Sequence, residues 1–153
     1  MNDRDLHELA DRLAIRDLVD LYARAADRVD GAAAAALFTE QGALRIFERG
    51  RDEPVRERLG REAIAVAFAG LSRYEVTLHV VANHLVDLDG DVATGETYCL
   101  AHHVRSLGEG AERSDYLMAI RYLDDFVRTA EGWRFSQRRL HLEFTQELPV
   151  SGP

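Results

Sequence analysis

The chain has 153 residues, 46% of them hydrophobic and 30% charged, the size and make-up of one globular domain rather than of a disordered or membrane-spanning chain. Its formal net charge of −8 argues against nucleic acid and anionic membrane as partners, because both attract basic surfaces. All 19 cationic residues are arginine and Cys99 is the single cysteine, which excludes a lysine Schiff base (and with it pyridoxal-phosphate chemistry), an internal disulfide, and zinc sites built on several thiolates.

Met1 to Asp5 carry neither the basic nor the apolar region of a signal peptide, so the expected location is cytoplasmic. Asp5-Leu6-His7-Glu8 has the spacing of a capping box and predicts a helix running to about Arg28, with Ile15, Leu18, Tyr22, Ala25 and Ala26 recurring at three- and four-residue intervals as one apolar stripe. Asp30-Gly31 interrupts it, and Ala32 to Phe38 is expected to form a short second helix. Gln41-Gly42 reads as a turn, Leu44 to Phe47 as a short strand, and the charged stretch Glu48 to Gly60, with Pro54, as an exposed loop. Glu62 to Leu71 is a third helix with Ile64, Ala67, Phe68 and Leu71 on its buried side.

From Val76 onward the pattern is that of strands. Val76–Leu88 and Val92–Ser106 flank Asp89-Gly90, a strong hairpin signal. A turn over Leu107 to Arg113 follows, with Gly108 and Gly110. Tyr116–Arg128 and Trp133–Leu148 are then joined through Glu131-Gly132. Helices first and a four-strand meander after predict a single α+β domain over residues 1–148, with a loose tail over 149–153. The expected form is a curved antiparallel sheet wrapped against three N-terminal helices and enclosing a pocket, because strands of about 13 residues twist and curl. Strict alternation places Val76, Leu78, Val80 and Val86 on one face of the first long strand. Val81 and Leu85 fall on the other, among Thr77, His79 and Asn83. With apolar residues on both faces, the convex face is expected to be covered by another subunit.

No G-x-S-x-G, P-loop or H-E-x-x-H is present, and Gly108-Glu109-Gly110 lacks the third glycine of a dinucleotide fingerprint. The six histidines are not spaced as metal ligands: alternation sends His79 and His84 to opposite faces, and His102 and His103 likewise. A metal site would have to draw one histidine from each of several strands, plus a carboxylate. By itself, His79 reads as a core histidine hydrogen-bonded to backbone, and Asp27, near the end of the first helix, as a solvated carboxylate.

Taken together, Ile15-Arg16-Asp17-Leu18, Tyr22, Asp27, Asp30, Leu37-Phe38, Thr77-Leu78-His79 with Asn83, Asp89-Gly90-Asp91, Tyr122-Leu123-Asp124 and Gly132-Trp133-Arg134-Phe135 with Arg138-Arg139 resemble the SnoaL-like family of the nuclear transport factor 2-like superfamily. The resemblance spans nearly the whole chain and implies a cone: a bent sheet on helices with a deep pocket at its open end. Members such as scytalone dehydratase, bile acid 7α-dehydratase and hexachlorocyclohexane dehydrochlorinase set an Asp at the end of the first helix against a His on the sheet. The matching residues are Asp27 and His79, with Tyr22 matching a tyrosine that the bile acid enzyme uses. His103 (or His102, should the hairpin register slip), Asn83, Tyr122 and Arg138 (or Arg139) are the matching or neighbouring candidates for substrate contacts.

The resemblance thus implies cofactor-independent proton transfer on a small hydrophobic molecule such as a polyketide or steroid-like metabolite: dehydration, or isomerisation or cyclisation. A non-catalytic binding protein, or a small oligomerisation subunit of a ring-hydroxylating dioxygenase, are the alternatives. A homodimer or homotrimer is expected.

Overall fold

The computed structural model describes residues 2–108 and 112–151; Gly110 of the expected turn, and Gly152 and Pro153 of the expected tail, lie outside the described residues. Helix α1 spans Asp3–Asp27, α2 Gly31–Ala36 and α3 Gly60–Ala69, the last followed by a 3-10 turn at Gly70–Arg73. The strands are β1 Phe38–Glu48, β2 Arg56–Leu59, β3 Val76–Asp89, β4 Val92–Ser106, β5 Arg113–Thr129 and β6 Gly132–Val150. They form one sheet in the order β2-β1-β6-β5-β4-β3. The fold is α+β with an open, curved sheet. Among the described residues, no helix is long and apolar enough to cross a membrane.

Several local expectations are corrected. The capping box lies one turn earlier than Asp5–Glu8: the Asn2 side chain accepts from the Asp5 amide at 3.0 Å, and Asp5 accepts from the Asn2 amide at 3.1 Å. Gln41-Gly42 is no turn but an irregular stretch inside β1, where the register shifts between Phe38 and Ala43. The charged loop contains β2, which pairs Arg56–Leu59 antiparallel to β1. The sheet is mixed rather than antiparallel, since β1 runs parallel to β6, Leu44 opposite Arg138. Finally, β6 continues through Pro149 to Val150. Its pairing with β1 ends at Leu142, so Pro149 sits where the strand has a neighbour on one side only and a missing N–H is tolerated.

Bulges supply the curvature. The pairing of β3 with β4 skips a residue between Val81 and His84, and that of β5 with β6 skips at Ala119/Ile120 and Asp125/Phe126; each extra residue bends its strand and increases the local twist. The bulge at Ala82-Asn83 also resets the face of everything after it. His84, Val86 and Leu88 turn toward the helices, with Val86 and Leu88 packed on the core, while Leu85 is left 73% exposed. His79 and His84 therefore share a face, contrary to strict alternation.

The core lies between the sheet and the helices. Tyr22 from α1 meets Phe68 edge-on at 5.1 Å and Tyr122 at 5.7 Å, and Phe135 packs on Phe38 at 5.1 Å and on Phe126 at 5.0 Å. α2 and α3 approach closely at Gly31, where a Cβ would fall 2.4 Å from the carbonyl oxygen of Ala65, so no larger residue fits there. α1 is tied to β3 by Arg12, which donates to the Val86 carbonyl at 2.6 Å, and by Arg16, which donates to the Ala82 carbonyl at 3.4 Å beside the bulge.

Candidate active site

α1 stops immediately after Asp27. Arg28 is its C-cap, the Val29 amide donates to Ala26 and the Asp30 amide donates to Ala25, the paired bonds of a Schellman ending. The position that usually carries glycine holds Val29 at φ 55°, a costly conformation for a β-branched residue. The chain thus accepts local strain one residue past the C-cap, where the carboxylate of Asp27 is set against the middle of β3.

There Asp27 makes three contacts with one residue. The His79 backbone amide donates to both carboxylate oxygens, at 3.0 and 3.2 Å, and the imidazole Nδ1 lies 2.7 Å from Oδ1. With Asp27 ionised, Nδ1 carries the proton, which fixes the tautomer and leaves Nε2 as the basic nitrogen. The His79 side chain is 8% exposed and that of Asp27 23%. Both open on a cleft of about 450 Å³ between α1 and β3, lined also by Arg16, Asp20, Ala23, Arg24, Arg28 and Val81. Charged groups predominate in this lining.

His103 stands next to this pair. It follows Ala101, the residue paired with His79, by two positions on β4, and its ring lies edge-on to that of His79 at 5.7 Å. Its Nδ1 donates to the Tyr116 carbonyl at 3.1 Å, and burial holds the imidazole below the ordinary histidine value, toward the neutral form. Of the adjacent pair, His103 is the one facing the helices. His102 points outward and bonds Asp115 through Nδ1 at 2.6 Å.

The other candidates are placed elsewhere. Arg138, fully buried, makes two 2.8 Å hydrogen bonds to Asp124, the residue opposite it on β5. Its guanidinium carbon lies 4.2 Å from the ring centre of Tyr22, 4.0 Å from that of Tyr122 and 4.4 Å from that of Phe135. Burial opposes the charge on Arg138, but attraction and hydrogen bonds from Asp124 outweigh it, and the group is held firmly protonated. Burial pushes the Tyr22 hydroxyl up to about 12 and that of Tyr122 well above its usual value, so both stay protonated. None of Tyr22, Tyr122 and Arg138 lines the cleft; packing of aromatic faces around a paired guanidinium draws them into the core. Arg139 alternates outward and pairs with Asp125 at 3.0 Å. Asn83 is exposed at the bulge and outside the cleft, because the extra residue breaks the alternation that would have aimed it inward. Among the described residues no group of three or more His, Cys, Asp or Glu is arranged to hold a metal ion.

Sequence reading missed the arginines of the cleft. Their signal is present: Arg16, Asp20, Arg24 and Arg28 follow one another at intervals of four, which stacks them along one helix face.

The chain matches the SnoaL-like domain over residues 7–139, and it belongs to the SnoaL-like family of the nuclear transport factor 2-like superfamily. An uncharacterised protein of Mycobacterium tuberculosis, Rv2910c, is 28% identical over 136 residues, covering 86% of this chain and 84% of its own length. A scytalone dehydratase-like protein from Novosphingobium aromaticivorans superposes with a TM-score of 0.78 at 25% identity, over 99% of this chain and 94% of its own. A hexachlorocyclohexane dehydrochlorinase from Novosphingobium barchaimii superposes with a TM-score of 0.74 at 22% identity, over 97% and 96% of the two chains, which is a likeness of fold alone. The superfamily includes cofactor-independent dehydratases and isomerases.

Proposed function

We propose that the protein is a cofactor-independent proton-transfer enzyme, a lyase of the dehydratase type, in which His79 is the general base and Asp27 its orienting partner. The observation that carries this reading is the 2.7 Å contact between His79 Nδ1 and Asp27 on the wall of an open cleft. Nε2 takes a proton from a carbon beside a carbonyl, and the electron pair of the C–H bond becomes the new C=C bond. The C–O bond to a β-hydroxyl breaks, and the imidazolium returns its proton to the departing oxygen, which leaves as water. Asp27 favours the imidazolium formed midway. Isomerisation uses the same first step, with the proton returned to a different carbon. His103, held neutral beside His79, limits competing positive charge.

The substrate is a small molecule with an apolar body, such as a polyketide- or steroid-like metabolite. The fold also hosts binding proteins without catalysis, and the open, solvent-facing cleft favours that second reading. The outer face of the sheet supports assembly in either case. Val80, Leu100, Ala119 and Phe144 lie directly opposite one another across β3, β4, β5 and β6, and Leu78, Val80, Leu100 and Phe144 are 43–54% exposed. Further copies of this chain, in a dimer or trimer, cover that face.

A panel of β-hydroxy ketones and β-hydroxy acids incubated with the protein in D2O, with alkene and deuterium at the carbon acid followed by NMR, tests the reading. Elimination or exchange that disappears in His79→Ala supports it. Ligands that bind without either change would establish the binding protein instead.

A further inference from the structure

The cleft beside His79 holds more positive charge than its own residues use. Arg16 is occupied: its Nε donates to Asp20 at 3.0 Å and its Nη1 to the Ala82 carbonyl. Arg24 and Arg28 line the same cleft, and among the described residues no carboxylate lies within ion-pair distance of either. This occurs in a chain with 27 acidic residues to 19 basic ones, so acidic partners are not scarce. Three arginines stand against Asp20 and Asp27 in the cleft lining, one cationic side chain more than there are carboxylates. A cation at a helix C-terminus is favoured by the dipole. That accounts for arginines on the last turns of α1, but not for two of them opening, uncompensated, on the cleft that holds a hydrogen-bonded imidazole. Four residues apart, they lie on one side of the helix, and a guanidinium is shaped to take a carboxylate through paired N–H donors.

We infer that the cleft takes a molecule carrying a single carboxylate, clamped by Arg24 and Arg28, with its reacting carbon presented to His79 Nε2. The part concerning Nε2 rests on the reading of His79 as the base; the carboxylate clamp does not. One negative charge balances the cleft, whereas a phosphate dianion would place its second charge beside Asp20 and Asp27. The substrate class is therefore a hydroxy or unsaturated monocarboxylic acid with an apolar body.

Benzoate and benzamide have the same shape and differ in charge. Each is titrated into the full-length protein at low salt, with the imidazole signals of His79 followed by ¹H–¹⁵N NMR. The expected result is that benzoate perturbs the His79 signals and binds at least about tenfold more tightly than benzamide, and that added salt erodes the preference. In Arg24→Gln/Arg28→Gln the preference should vanish while the Nδ1–H signal of His79 persists, which shows that the fold and the Asp27 contact are intact. Equal binding of the two probes overturns the inference, as does a benzoate preference that survives in the double variant. Inorganic phosphate binding more tightly than benzoate would overturn the carboxylate assignment. Since only binding is read, absence of turnover would sink the enzyme reading and leave this one standing, and loss of the charge preference would do the reverse.

Discussion

Replacing Asp124 by alanine removes the carboxylate that accepts two hydrogen bonds from Arg138, deep in the core. The two residues are 1% and 0% exposed, so the guanidinium cannot reach water to recover its loss, and its Nη1 already lacks a partner. Two charge-assisted bonds of 2.8 Å disappear. At about 1.5–3 kcal/mol for each hydrogen bond to a charged group, this agrees with the roughly 3–5 kcal/mol found when one member of a buried pair is removed. For a domain of this size that is a fall in Tm of roughly 6–20 °C, read by circular dichroism at pH 7. Asp124→Leu/Arg138→Met removes both charges and should recover most of the loss, because the pair costs nearly as much to desolvate as it returns. A fall of less than about 3 °C in Asp124→Ala would refute the reasoning, since it would mean that the guanidinium finds solvent or another partner.

Stability should decline with acid through His103. Burial holds its folded value below 6.5, so the unfolded chain binds the proton first as pH falls. The group's contribution is complete above about pH 6.5 and is lost as pH drops from there through the lower folded value. Urea unfolding at pH 7.5 and 5.5 should show the difference, and His103→Gln should shrink it. The proposed assembly through the outer face predicts a dimer or trimer for the wild-type chain and a monomer for Leu100→Arg, read by light scattering, because the substitution places a charge in the exposed apolar row; a monomeric wild type would refute the assembly, and an unchanged mass in the variant would locate the interface elsewhere. Asp27→Asn keeps the shape of the carboxylate but not its charge, and should lower turnover about 10-fold or more with ligand affinity within a few-fold.

Much of this was legible in local patterns. The stripe Ile15, Leu18, Tyr22, Ala25 and Ala26 defined α1 and its buried face, and Asp89-Gly90 with its flanking alternation defined the hairpin of β3 and β4. What escaped was non-local or one residue out of phase. The pairing of β1 with β6 joins segments about ninety residues apart, and β2 has four residues of charged sequence with no period of its own. The bulge at Ala82-Asn83 carries no glycine to announce it, yet it moved Asn83 out of the site and His84 onto the face of His79. Asp27 and His79 were named from the family pattern rather than from their own surroundings, since an Asp at a helix end and a His mid-strand are each unremarkable. Tyr22 and Arg138 belong to the same pattern, but here aromatic packing and Asp124 hold them in the core.

In the proposed reaction His79 Nε2, set up by Asp27, removes a proton from bound substrate. The most direct test compares kcat and Kd for wild-type protein and His79→Ala on the first β-hydroxy carbonyl compound found to be turned over. The variant should lose about 10²–10⁴ in kcat, the range for general-base catalysis, with Kd changed by no more than a few-fold. Full activity in His79→Ala would contradict that role of His79.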